Sequence, residues 1–280
     1  MKTPKAAAIH DLSGIGRCSL TAAIPILAAM GVQACPFPTA VLSNQTGYPR
    51  YDIVDLTDRM ESFCECWAPW HKQFDAVYTG FLNSPQQASI TRKLVEKLRG
   101  ENSLVLVDTV LGDHGIRYPI FDEEMCRRVR ELAMDADVIT PNLTEACLLA
   151  GEPAEAAQDM QTRAELIQLA SYLAAQGPGT VIITGIRDGE DVANLAYIKE
   201  DSRCFWETNR KIGFSYSGTG DVLASVLCAG LVQGFPLGEV LRNACKFIGM
   251  ALEETADMGT DPREGIVFEP FLGDLRDMFW

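Results

Sequence analysis

Basic residues are in short supply in this chain: 24 Lys and Arg stand against 38 Asp and Glu, for a formal charge of −14. A partner held by neutralising backbone phosphates would want the opposite balance, so no nucleic-acid partner is expected. Histidine is scarcer still. His10, His71 and His114 are the whole set, and none sits in a G-x-S-x-G or H-E-x-x-H setting, which makes hydrolase triads and histidine zinc sites poor candidates. Long apolar runs are missing too. Val222 to Val232 is the longest nearly apolar stretch, it is broken by Ser225 and Gly230, and it falls well short of the ~18–20 residues a membrane span needs. The opening Met1-Lys2-Thr3-Pro4-Lys5 leads into a brief Ala-Ile stretch and then His10-Asp11, too short and too soon polar for a signal sequence, so a cytoplasmic location and no membrane partner are expected. The nine cysteines include no C-x-x-C pair, and Cys64-x-Cys66 lacks zinc-finger spacing; reduced, mostly buried thiols are the expected state.

What is present is ordinary globular material, 47% hydrophobic and 22% charged, which excludes disorder and collagen-like repeats. Short Val/Ile/Leu-rich runs alternate with longer amphipathic stretches, the pattern of βαβ units and a parallel sheet covered on both faces. Strands are expected at Ala6–His10, Val32–Phe37, Ala76–Thr79, Leu104–Asp108, Val138–Thr140 and Thr180–Thr184. Helices are expected at Ser19–Met30 with a kink at Pro25, then Leu56–Trp67, Pro85–Arg99, Asp122–Met134, Leu143–Ala150 and Thr162–Gln176. Val192–Tyr197 and Cys204–Thr208 read as an antiparallel hairpin at a sheet edge, and two helices, Thr219–Val232 and Leu237–Met258, close the chain. No repeat or linker interrupts this, so residues 1–280 are expected to form one domain. Pro36–Asp52 is the longest stretch without helical period and suggests a functional loop.

In an open parallel sheet, ligands bind beyond the carboxyl ends of the strands. The most informative segment there is Ser217-Gly218-Thr219-Gly220-Asp221, running straight into Val222-Leu223-Ala224. Its glycines let backbone N–H groups turn outward at a helix start, which suits a phosphate or the charge that develops in phosphoryl transfer. Asp221 is placed to take a proton from an attacking hydroxyl, although Gly-rich turns followed by an acid are also ordinary helix starts. No Lys follows Gly220, so this is not a Walker A loop, and no H-R-D or D-F-G set marks a protein kinase. Asp108, Asp113, Thr140, Asn142, Glu145 and Thr184 fall at other strand ends. Carboxylates with an intervening amide suit Mg²⁺ and a nucleotide triphosphate, while each alone can equally cap a turn or a helix. Gly14-Ile15-Gly16-Arg17-Cys18-Ser19 has the outline of a dinucleotide fingerprint but carries Ser19 at the third glycine and no acid about 20 residues on. The aromatic run from Phe63 to Trp70 reads as core or subunit interface.

Taken as a set, Ile9 to Gly16, Ser43-Asn44-Gln45-Thr46-Gly47-Tyr48, Asp108 to Asp113 with Thr140-Pro141-Asn142, and Gly218-Thr219-Gly220-Asp221 resemble the ribokinase-like superfamily, and within it the vitamin B6 kinases. The resemblance implies an α/β, ribokinase-like fold with a mostly parallel central sheet, helices on both faces and an antiparallel edge. It implies transfer of the ATP γ-phosphoryl group to the hydroxymethyl group of pyridoxal, pyridoxine or pyridoxamine. Asp221 would be the base and Gly218, Thr219 and Gly220 the anion hole. Asp108, Asn142, Glu145 and Thr184 would serve ATP, Asp113 and Glu145 would hold metal, and Asp11, Ser43, Thr46 and Phe81 would line the substrate ring. Mg²⁺, K⁺ and a homodimer are implied as well. The family tends to place Ser at position 11, His at 45, Tyr at 81 and Pro at 109, where this chain has Asp11, Gln45, Phe81 and Thr109. Hydroxymethylpyrimidine is the alternative acceptor, alone or beside B6 vitamers, and a non-catalytic nucleotide or pyridoxal-phosphate binder is the alternative of another class.

Overall fold

The structure is a computed structural model that describes residues 2–70, 72–160, 162–213 and 215–280; His71, one of the three histidines, lies outside the described residues. In chain order the elements are β1 (Lys5–Ser13), α1 (Ser19–Ala29), β2 (Gln33–Leu42), β3 (Ile53–Asp55), α2 (Thr57–Trp67), β4 (Phe74–Thr79), α3 (Pro85–Leu98), β5 (Arg99–Val107), β6 (Gly112–Asp113), β7 (Ile116–Arg117), α4 (Glu123–Met134), β8 (Val138–Ile139), α5 (Leu143–Ala150), α6 (Arg163–Gln176), β9 (Thr180–Asp188), β10 (Asp191–Ile198), β11 (Cys204–Arg210), α7 (Thr219–Val232), α8 (Leu237–Asp257) and α9 (Leu272–Asp277). Nine strands form one sheet in the order β11-β10-β9-β8-β5-β4-β1-β2-β3. From β2 to β9 the pairings are parallel, and both ends are antiparallel, β9-β10-β11 on one side and β2-β3 on the other.

The near-continuous apolar strands are buried on both faces, as parallel strands covered by helices must be. On one face Ile9, Val77, Val105 and Ile183 pack against Leu94, Leu98, Val129 and Leu173 of α3, α4 and α6. On the other, Ala8, Tyr78, Leu106 and Ile182 pack against α1, α7 and α8 through Ile26, Leu227 and Phe247. Each such side chain contributes roughly 1.5–3 kcal/mol by leaving water, so the sheet is held rigidly from both sides and its strand ends are fixed in space.

Three features differ from the sequence reading. Strand β2 runs on to Leu42 through Pro36 and Pro38, so the loop is confined to Ser43–Asp52; these prolines sit where β2 has only β1 beside it, since β3 pairs with Ala40–Leu42 alone, and that is where a strand tolerates proline. Strands β3, β6 and β7, of three, two and two residues, are too short for period-2 alternation to register. The chain also does not close on two helices: after α8 it turns back through Asp261–Phe271 and adds α9. Pro25 lies inside α1 without ending it.

Candidate active site

The side chains proposed from the sequence come from different elements, and the parallel topology brings them to one rim. Strand β1 delivers His10 and Asp11, with an irregularity in its pairing to β2 between His10 and Leu12, a device that re-aims side chains beside functional sites. Strand β4 ends at Thr79, then Gly80 and Phe81; β5 is followed at once by Asp108, whose N–H donates to the Thr79 carbonyl at 2.9 Å. Beyond β8, Asn142 pairs with Thr184 of β9 as an isolated parallel bridge.

Over this rim stands the start of α7. Gly218 has φ +76°, and a Cβ on it would fall 1.9 Å from the Arg17 carbonyl oxygen, so only glycine fits. No side chain caps α7; its first-turn N–H groups and positive dipole end are left for an anion. At Gly220 a Cβ would meet nothing within 4 Å, so the cradle opens outward at that residue. The turn is braced from behind by Ser217 N–H to the Pro262 carbonyl at 3.0 Å and Arg17 N–H to the Glu264 carbonyl at 2.9 Å.

Asp221, with 13% of its side chain exposed, is pushed up to about 8 by burial first and then by the charge of Asp108, against a Ser19 N–H that favours the carboxylate. Asp108 is buried and pushed up to about 6 by desolvation, opposed by the Thr140 hydroxyl that donates to its Oδ1 at 2.9 Å. Glu145 is raised well above the usual range by burial and by Asp108, and Asp11 is raised by burial although the Ser13 hydroxyl donates to it at 2.8 Å. Crowded, desolvated carboxylates at a strand-end rim are a functional-site signature, and they are the arrangement that added positive charge would relieve.

The two candidate metal residues differ in kind. Glu145 forms a capping box with Asn142 at the start of α5: one oxygen accepts from Leu111 N–H at 3.0 Å and the other from Asn142 N–H at 2.8 Å, so a cation could use only its remaining lone pairs. Asp113 is half-exposed at the tip of β6, paired with His114 at 3.4 Å. Among the described residues no three His, Cys, Asp or Glu side chains converge to hold a metal ion. All-oxygen donors with few protein ligands fit Mg²⁺, which keeps waters and is shared with substrate phosphates. A cavity of about 620 Å³ lined by Asp113, Asn142, Gly185 and Arg187 lies alongside.

On the substrate side Phe81 is half-buried with its ring 5.9 Å from Phe121, and Asp11 is 3% exposed. Ser43 and Thr46 lie on the loop that follows β2. The Ser43 hydroxyl closes its own loop, accepting from Asp52 N–H at 2.9 Å and donating to Asn44 at 2.7 Å, and Thr46 is exposed. Gln45 is the loop residue turned inward: its Nε2 donates to the Arg263 carbonyl at 3.0 Å and to Ser217 Oγ at 3.3 Å, tying this loop to the Gly218 turn. Tyr118 was not marked by the sequence reading. Burial raises its hydroxyl pKa, and so do the charges of Glu145, Asp113, Asp108 and Asp221, so its hydroxyl feels the acid cluster; the signal in the sequence is an aromatic just after the Gly112–Gly115 turn and before Pro119.

A glycine-led turn beside a half-buried carboxylate, at the carboxyl rim of a doubly covered sheet, defines a ribokinase-like small-molecule kinase, a phosphotransferase with an alcohol group as acceptor. The chain belongs to the phosphomethylpyrimidine kinase family, whose profile matches residues 18–265. It is similar to a Bacteroides thetaiotaomicron protein assigned as a phosphomethylpyrimidine kinase, one crystal form of which contains pyridoxal, with 43% identity, 98% of this chain and 96% of that one covered, and a TM-score of 0.93. It is similar also to the Lactobacillus plantarum pyridoxal kinase at 30% identity, with 99% and 98% covered and a TM-score of 0.88. The Dictyostelium discoideum pyridoxal kinase is 28% identical over 267 residues, 90% of this chain and 86% of that protein.

Proposed function

We propose that the chain transfers the γ-phosphoryl group of ATP to the 5′-hydroxymethyl group of pyridoxal, pyridoxine or pyridoxamine, in the salvage of pyridoxal phosphate. The observation that carries this is Asp221, a half-buried carboxylate in the uncapped first turn of α7; the pyridoxal kinases among its relatives supply the acceptor. Asp221 takes the hydroxyl proton as that oxygen attacks the γ-phosphorus, the bond to the β-bridging oxygen breaks, and ADP leaves. The N–H groups of Gly218, Thr219 and Gly220 stabilise charge on the transferring oxygens. Asp108, Asn142, Glu145 and Thr184 serve the nucleotide, and Asp11, Phe81, Ser43 and Thr46 the acceptor, the last two through the loop they shape. Asp113 and Glu145 would hold Mg²⁺, with K⁺ in the same acid cluster; bound there, the ions neutralise phosphate charge.

We read the whole of residues 1–280 as one kinase domain that works as a homodimer in the cytoplasm. The dimer reading is supported by an exposed apolar row across three neighbouring strands, Leu12 paired with Val41 and Val41 with Val54, the sort of edge a second copy covers. The cytoplasmic reading is supported by nine free thiols; among the described residues no helix is long and apolar enough to cross a membrane.

The family description favours one second acceptor, hydroxymethylpyrimidine. Purified protein with Mg-ATP and K⁺ should convert pyridoxal to pyridoxal 5′-phosphate, identified by mass and absorbance. Phosphorylation of the pyrimidine alone would transfer the assignment to that acceptor, and ATP binding with no phosphorylated product would return the chain to the non-catalytic class.

A further inference from the structure

Beneath the start of α7 lies a side chain that the phosphotransfer chemistry described above leaves unused. His10 is fully buried, and among the described residues neither of its ring nitrogens has a hydrogen-bond partner. A buried imidazole left in this way loses its bonds to water and gains none, so an explanation is owed. Its place is nonetheless fixed. The ring stands edge-on to Tyr78, with centroids 4.9 Å apart. Gly80 lies against it so closely that a Cβ there would fall 1.5 Å from His10 Cε1, so the imidazole occupies the space that any other residue at position 80 would fill.

Asp221 Oδ1 stands 3.9 Å from His10 Nδ1. That is one small displacement short of a hydrogen bond. Tyr78 faces the same spot from β4, its hydroxyl donating to the Asp221 carbonyl at 3.4 Å, and Asp108, Asp11, Cys18 and Tyr118 are the other titratable groups that interact with Asp221; among the described residues no Lys or Arg joins them. Burial holds the imidazole neutral, its pKa pushed down to about 3, so it has one N–H to give and adds no charge to the cluster.

We propose that His10 is the positioning residue of Asp221: in the substrate-filled site its Nδ1–H donates to Asp221 Oδ1 and fixes the carboxylate with its other oxygen toward the attacking hydroxyl. This rests on the reading of Asp221 as the base. The hydroxyl proton passes to the free oxygen of Asp221, and His10 keeps its own proton throughout. Donation to the carboxylate also favours its ionised form.

The test compares His10→Leu, which removes the donor, with His10→Asn, whose amide nitrogen replaces Nδ1. His10→Leu should lower kcat by about 10- to 100-fold, the usual worth of a positioning hydrogen bond, leave both KM values within about twofold, and move the acid limb of the kcat–pH profile upward. His10→Asn should restore most of kcat and return the limb. Equal losses in both variants with an unmoved profile would show a packing role and overturn the proposal, as would wild-type kcat in His10→Leu. Asp221→Asn, run beside them, separates the two claims: if it is inactive while His10→Leu is normal, only the positioning role fails, and if it is active the base assignment fails. Should His10→Leu not fold, ¹⁵N NMR of the wild-type protein with pyridoxal and a non-hydrolysable ATP analogue decides, with a protonated Nδ1 expected and an unprotonated one contradicting the proposal.

Discussion

Gly218 presses its backbone against the Arg17 carbonyl, leaving 1.9 Å where a Cβ would have to stand. The β1–α1 loop and the turn before α7 therefore fit only because residue 218 has no side chain and can hold φ +76°. Gly218→Ala should displace the turn, lower kcat/KM for ATP by at least ~100-fold and lower Tm. Gly220→Ala has no such clash and should leave Tm unchanged or slightly raised, since Ala is the better helix former; its methyl instead enters the open cradle and should raise the KM for ATP. Titrating ATP against both variants and recording thermal melts checks the contrast.

As the proposed base, Asp221 must be ionised to accept a proton, so kcat/KM for the acceptor should fall as pH drops through the free-enzyme value of about 8. Asp108, pushed up to about 6, is still charged at that pH and raises Asp221 by repulsion. Asp108→Asn should accordingly shift the acid limb to lower pH. A limb shifted upward in kcat/KM–pH profiles of the two proteins would contradict the coupling.

The same burial makes the Asp221 carboxylate a cost to the fold. Its folded value of about 8 lies above the ordinary 3.8, so stability from this group is complete below about pH 4, declines as pH rises, and is lost by pH 8. Asp221→Asn escapes that decline. At about 1.36 kcal/mol per unit it should exceed the wild type by at most roughly 5 kcal/mol at pH 8 and by little at pH 4. Urea unfolding at the two pH values reads the difference directly.

Asp11 is a buried carboxylate where the resemblance expects an uncharged Ser, and it takes a hydrogen bond from Ser13 at 2.8 Å. Ionised, that carboxylate favours acceptors with positive charge or extra N–H donors. Asp11→Ser should lower the ratio of kcat/KM for pyridoxamine over pyridoxine by ~10-fold, the worth of one charge-assisted hydrogen bond. Competition between the two acceptors measures it, and an unchanged ratio would remove Asp11 from specificity.

Much of this architecture was legible because the forces that set it are local. The strands of the parallel sheet are apolar on both faces, α5 and α7 begin and end where the sequence placed them, and Gly218-Thr219-Gly220-Asp221 announces a helix start with free N–H groups. The inward turn of Gln45 in place of Thr46 was not legible, because it depends on the Arg263 carbonyl arriving from 218 residues away. Tyr118 and His10 carry no assignable role in the sequence for the same reason: each takes its meaning from residues on other elements. Glu145 reads in sequence as both helix cap and ligand, and the fold shows the cap directly.

The most direct test measures ADP release with Mg-ATP and K⁺ for the wild type and Asp221→Asn, against pyridoxal, pyridoxine, pyridoxamine and hydroxymethylpyrimidine in turn. Turnover of B6 vitamers by the wild type, lowered about 10²–10⁴-fold in the variant, is the predicted result. Turnover of the pyrimidine alone, or B6 turnover that survives in Asp221→Asn, would contradict the account.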